Sequence, residues 1–403
     1  MKLNFFNMYM IEKKKISQFF LLFLLILMNR LAIPGFTSLS VSIILIIFFI
    51  ILSSAKNEVS IDKRNLIFYL IMLSFLFLST VVSMFISVYT TTFLGVFLAF
   101  VIYTLILFDF KVKFAKDIVL NVFFIFILLG LFQYSIYQIF GNFWDLSSVV
   151  NSDFLVQGYN TSDGNEYMEK RTNGFVFLEP SFFSQFIALY IILEYSFFGF
   201  KRFLRVGIAL IVLLLAASGT GPMLLIFYSI VHTVLKRNFK MLSLFLTIAL
   251  LLPILFKLGL TFVPDFMGYL LERLGEFSLG GDNSFNYRFI LPYSSAYEFL
   301  SNSNYLTFLF GNGPLTTAEI NTRNWNSDAN FSTLLVSIFE YGLFFTLFYI
   351  FYLYRISSKV FYKDLQLSVL FMFFVLSGAF YQNYTIILLW ILCKVIDFNN
   401  KVG

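Results

Sequence analysis

Charge and sulfur are both scarce in this chain. Only 12% of the 403 residues are charged, and there is one cysteine and one histidine. A soluble domain of this size keeps far more charge for its surface, so a water-facing fold is excluded. The lone Cys393 rules out an intramolecular disulfide framework and a thiolate metal site. No His/Cys/carboxylate cluster has metal-ligand spacing, and His232 reads as a packed or interfacial residue, so neither metal nor cofactor is expected. A P-loop is missing, and "GNGP" at 311–314 is a turn, not a dinucleotide fingerprint. Any chemistry here must draw on a pre-activated, membrane-delivered substrate or on an ion gradient.

What the chain does have is apolar length. Hydrophobic residues make up 59% of it, with 58 Phe and 23 Tyr that read as lipid-facing filler rather than sugar-stacking groups. A helix needs about 20 apolar residues to cross a hydrocarbon layer of roughly 30 Å. Twelve such runs are expected, near 16–33, 36–53, 65–88, 93–108, 118–140, 175–200, 206–218, 222–235, 241–262, 332–354, 366–381 and 384–396. The fold class is therefore an all-α polytopic integral membrane protein, with residues 1–403 as one transmembrane domain. The first run follows "EKKK" at 12–15 without a small-residue cleavage site and reads as an uncleaved anchor.

Basic residues order the spans. With both termini placed in the cytoplasm, 21 of the 28 Lys and Arg fall in inside connections, including "KRFLR" at 201–205 and "KRNFK" at 236–240. The net charge of +6 then belongs beside anionic lipid of the bilayer, not nucleic acid. Two external loops are long, 141–173 and 263–331, and the second should carry structure of its own. Leu270, Leu271, Leu274 and Phe277 share one helical face there, as do Phe289, Tyr293 and Tyr297. Both stretches are expected as short helices on the outer interface.

Two runs are too long for one crossing and short for two. They break at "SGTGP" (218–222) and "GAFYQNYT" (378–385). Broken helices are tolerated where they line a cavity, so a recess floored by both breaks is one reading and two tight hairpins the other.

Polar residues beside the apolar runs supply the candidate site. In "RTNGFVFLEPSFFSQF" (171–186), Pro180 suits the first helical turn. A helix from Pro180 to Phe200 would span roughly 31 Å, one crossing. Glu179 then sits at its external mouth with Arg171 on the same side, and "GFVFL" (174–178) is an apolar approach. Helix capping and a loop ion pair with Glu169 are the alternatives for these two. Arg273, Arg288 and Arg323 are the other external arginines, suited to bidentate phosphate binding or to surface ion pairs. Glu340, within a span, marks a site or an ion pair. Glu194 and Lys257 lie near span ends, where snorkelling accounts for them.

The order "RTNGFVFLEPS", "ASGTGP", "NSFNYR", "LFGNGP" and "NFSTLLVSIFEYG" resembles bacterial O-antigen and capsular polysaccharide repeat-unit polymerases, within the group that includes the O-antigen ligases. The resemblance implies an inverting, metal-independent glycosyltransferase on the external face of the bacterial cytoplasmic membrane. Its substrates would be undecaprenyl-diphosphate-linked oligosaccharides, and a chain-length regulator and a flippase would be its partners. Ligases of the group use an external-loop histidine, which is lacking here. Glu179 and Arg288 are then the catalytic candidates, as base and diphosphate stabiliser, with Arg171, Arg273, Arg323 and Glu340 binding substrate. A lipid-linked oligosaccharide flippase or other secondary transporter is the main alternative, and a non-catalytic scaffold the third.

Overall fold

The computed structural model describes residues 2–34, 36–56, 59–87, 93–110, 114–141, 143–156, 171–199, 201–237, 239, 243, 290–302, 304–317, 319, 331–358, 362–377 and 383–396. Among these, thirteen α-helices carry the fold. They are α1 (Lys2–Leu27), α2 (Val41–Ala55), α3 (Lys63–Ile86), α4 (Leu94–Leu107), α5 (Lys116–Phe140), α6 (Pro180–Phe198), α7 (Phe203–Leu215) and α8 (Thr220–Lys236), followed by α9 (Leu291–Asn302), α10 (Tyr305–Phe310), α11 (Thr333–Ser357), α12 (Lys363–Phe371) and α13 (Asn383–Cys393).

Four of them, α3, α5, α6 and α11, are long and apolar enough to cross a membrane. The chain is thus a helical, membrane-embedded protein. Helices α2, α7, α8 and α13 are apolar but hold only 15, 13, 17 and 11 residues. At 1.5 Å per residue, 11 residues reach about 17 Å, too short for a crossing alone. The expected run at 241–262 and the interfacial helix at 269–277 lie outside the described residues. Of the other stretch expected as an interfacial helix, Leu291–Asn302 is helical as α9 with Tyr293 and Tyr297 exposed, while Phe289 lies outside the described residues.

Helix α6 is the axis of the bundle. It is buried from Pro180 to Glu194 with the single exception of Phe182, and it packs against α5, α7 and α8. A helix apolar all round has no preferred wet face and sinks to the centre. Aromatic rings fill the contact: Phe186 lies 4.5 Å from Phe123 and 4.9 Å from Phe177, centroid to centroid. The helix ends at Phe198, two residues before the expected Phe200, because Gly199 turns the backbone to φ +62°.

Short strands tie the connections together at the two ends. At one end, β3 (Val59–Ile61) pairs antiparallel with β4 (Phe108–Phe110), and β5 (Phe114–Ala115) pairs parallel with β6 (Val395–Ile396). Arg202 meets Asp117 at 2.8 Å at that same end. At the other end, β1 (Ala32–Ile33) pairs with β2 (Phe36–Ser40), and Leu31 bridges to Leu155. Among the described residues, the strands flanking Lys63 and Lys116 and the Arg202 turn therefore share one end of the bundle, and the 143–156 loop lies at the opposite end.

Candidate active site at the start of the central helix

The helix α6 begins at Pro180, as its sequence requires. Glu179 is the N-cap residue, extended at φ −138°, and its carbonyl accepts from the amides of Phe182 (3.1 Å) and Phe183 (3.2 Å). Its carboxylate makes no capping bond to the helix amides; it accepts from Ser181 Oγ at 2.8 Å. The residue is only 6% exposed. Glu179 was expected at an open external lip. It is instead buried, and the 172–178 segment that leads to it is itself bonded to the 144–146 loop. A buried carboxylate at the positive end of a helix is electrostatically favoured relative to one elsewhere in the core.

The approach is built from residues with turn chemistry. Asn173 Oδ1 accepts from the Phe175 amide at 3.1 Å, an Asx turn. Gly174 and Phe175 both take left-handed conformations, φ +64° and +70°. This reversal drives Val176 and Phe177 into the core, where Phe177 lies 5.1 Å from Phe183 and 5.3 Å from Tyr384. The apolar dip expected for "GFVFL" is thus a plug of protein interior.

Both helix breaks meet the first turns of α6. From "SGTGP", Thr220 Oγ1 donates to the Ser181 carbonyl at 3.0 Å and lies 3.0 Å from Ser184 Oγ, which accepts from the Gly221 amide at 3.0 Å. From the edges of the second break, the Leu376 carbonyl accepts from Gln185 Nε2 (3.4 Å), and the Tyr384 hydroxyl donates to the Phe182 carbonyl (3.4 Å). Ser377 caps the neighbouring helix start: its carbonyl accepts from the Thr333 amide at 2.8 Å. Residues 179–185 therefore sit between the two breaks.

A third irregularity lies in α11. Gly342, at φ +78° and ψ 176°, interrupts the helix one turn and a half after Ser337. The carbonyls of Phe339 and Glu340 lose their helical partners and accept instead from the amides of Asn312 (2.9 Å) and Gly313 (2.8 Å). A Cβ at Gly342 would stand 2.3 Å from the Leu309 carbonyl oxygen. The "LFGNGP" and "FEYG" stretches, 30 residues apart in the chain, are thus one joint. Glu340 belongs to this joint: buried, it accepts from Thr317 Oγ1 at 2.7 Å and from the Thr317 amide at 3.4 Å. No ion pair to Glu340 occurs among the described residues.

Of the expected site residues, the structure describes Arg171, Glu179 and Glu340. Arg171 is half-buried at the head of the approach, eight residues before Glu179. Arg273, Arg288 and Arg323 lie outside the described residues. Glu194, expected to snorkel, is instead fully buried, with Arg202 Nη1 at 3.5 Å. The guanidinium of Arg202, beside Glu194, also stacks on the Phe198 ring at 3.7 Å. His232 is packed as expected, with Nδ1 2.6 Å from Asp364 Oδ2. Among the described residues no group of three or more His, Cys, Asp or Glu could hold a metal ion.

Sequence reading passed over Gln133 and left Arg30 unassigned. Gln133 is 1% exposed and Arg30 4% exposed, and both bond to the approach. The available signal was a glutamine inside an apolar run and an arginine at a span end.

No protein-family model, no curated protein and no solved structure matches this chain.

Proposed function

We propose that the chain polymerises lipid-linked oligosaccharide repeat units on the external face of a bacterial cytoplasmic membrane. In this reading the protein crosses the bilayer about twelve times, and both termini are cytoplasmic. The observation that carries it is Glu179: a carboxylate buried at the N-terminus of the central helix, eight residues after the half-buried Arg171 and following the packed 172–178 segment. Burying a carboxylate costs free energy that the positive end of a helix offsets only in part.

The reaction transfers the growing glycan to a new lipid-linked unit. A sugar hydroxyl of the incoming unit attacks the anomeric carbon of the growing chain, opposite the leaving group, so that carbon inverts. The bond from that carbon to the phosphate oxygen breaks, and undecaprenyl diphosphate leaves with the electron pair. The hydroxyl proton passes to the Glu179 carboxylate, a step in which positioned general bases contribute about 10²–10⁴-fold. Arg171 and Arg288, with Arg273 and Arg323, hold the diphosphate as its charge grows. Glu340 serves the site through the 304–317 segment, which it holds at Thr317.

Purified Glu179→Gln and Arg288→Lys variants, given lipid-linked repeat units, are expected to yield single units where the unaltered protein yields polymer. Full-length product from both variants rejects these roles. A deletion strain separates the transporter alternative: loss of a polymerase leaves single units outside the membrane, whereas loss of a flippase traps them inside.

A further inference from the structure

The approach that carries Arg171 and leads to Glu179 is held by two side chains from elsewhere in the bundle. Gln133, in α5, uses its whole hydrogen-bonding capacity. Its Nε2 donates to the Trp144 carbonyl (2.7 Å) and to Asn173 Oδ1 (2.8 Å). Its Oε1 accepts from Thr172 Oγ1 (2.8 Å) and from the Asn173 amide (3.0 Å). An amide side chain has two donors and one two-lone-pair acceptor, so all four valences are satisfied. Three of the four bonds fall on Thr172 and Asn173, the residues that follow Arg171.

Arg30 clamps the other end. Its Nη1 donates to Asp145 Oδ1 (2.6 Å) and to the Phe177 carbonyl (3.0 Å), two residues before Glu179. Both clamps also grip the same stretch of the 141–156 loop, at Trp144 and Asp145. Between the clamps the loop and the approach are stitched directly, by the Leu146 amide donating to the Phe175 carbonyl (3.3 Å). A small residue keeps α5 close enough for this: a Cβ at Gly130 would stand 2.4 Å from the Phe183 ring and 3.2 Å from Thr172 Oγ1.

We infer that Gln133 and Arg30 are positioning residues, which fix the 171–179 segment against the 144–146 loop so that Arg171 and Glu179 hold their places in the site. The inference rests on the polymerase reading for its functional half only. Its structural half concerns the segment itself and can be read without any substrate. Neither residue touches the reacting atoms. A misplacement of about 1 Å at such a distance can cost about a hundredfold in rate.

The test uses the full-length protein in a Cys393→Ser background. Spin labels at Ile139→Cys and Val149→Cys, both about three-quarters exposed, report the distance from α5 to the loop. Gln133→Met, which keeps the volume and loses all four bonds, is expected to broaden that distance distribution. Gln133→Glu keeps the two acceptor bonds, loses the two donors, and is expected to fall between. Gly130→Ala reaches the same segment by a different route and guards against a folding defect in one variant. In the polymerisation assay these variants are expected to lower kcat by about a hundredfold with KM held. A distribution as narrow as that of the unaltered protein overturns the clamp. A broadened distribution with unchanged kcat, while Glu179→Gln abolishes polymer, overturns the positioning role. If Arg171→Ala and Glu179→Gln both leave polymer intact, the functional reading falls, and the distance distribution alone then decides the clamp.

Discussion

The Gly313 amide donates to the Glu340 carbonyl across 2.8 Å, joining the 304–317 segment to the interrupted helix α11. The bond exists because Gly342 leaves the helical conformation and frees that carbonyl. Gly342→Ala would combine an unfavourable φ with a Cβ 2.3 Å from the Leu309 carbonyl oxygen. We expect a loss of about 2–4 kcal/mol. It would be read as a lowered Tm of the detergent-solubilised protein, and an unchanged Tm would show that the joint is not strained by a side chain there.

Breaking the Arg30–Asp145 pair should be costly. Its side chains are 4% and 15% exposed, so water screens it little. Arg30→Met removes one partner and is expected to destabilise by about 3 kcal/mol. In a double-mutant cycle, adding Asp145→Asn should restore part of the loss, because the orphaned charge is gone.

His232 and Asp364 form a second buried pair, at the opposite end of the bundle from Glu179. His232→Leu alone leaves a buried carboxylate unpaired and should lower stability by about 3 kcal/mol. The double replacement His232→Leu with Asp364→Leu should lie closer to the unaltered protein. Polymer yield per folded molecule should not change in either, which separates this pair from the proposed site.

Orientation can be tested with single cysteines in a Cys393→Ser background. Ser147 and Lys201 are both exposed, on opposite faces of the bundle. In intact cells an impermeant thiol reagent should label Ser147→Cys and spare Lys201→Cys. The reverse pattern would place the 141–156 loop in the cytosol and end the proposed reading.

Much of the fold is legible in the sequence because it follows from solvent alone. Apolar length makes the helices, and the spacing of Lys and Arg sorts their connections to two faces. Pro180 starts α6 where its missing amide is harmless. The site is less legible. Glu179 can be located from its neighbours, but its burial is a property of how the helices pack around the start of α6. Glu194 carries no local sign that Arg202 will lie beside it and stack on Phe198.

By itself, then, the sequence determined that this chain lives in a bilayer, which connections share a face, and where the central helix begins. These are properties of composition and of neighbours along the chain. Only the tertiary structure decided that "SGTGP" and the residues flanking the second break, Leu376 and Tyr384, meet at the first turns of α6, that "LFGNGP" seats in the gap opened by Gly342, and that one glutamine holds the approach. Those are pairings between residues 27 to 191 apart, as in Asn312 with Phe339 and Gln185 with Leu376. Each is set by which buried donors find which acceptors once the helices have packed, and no local pattern encodes that choice.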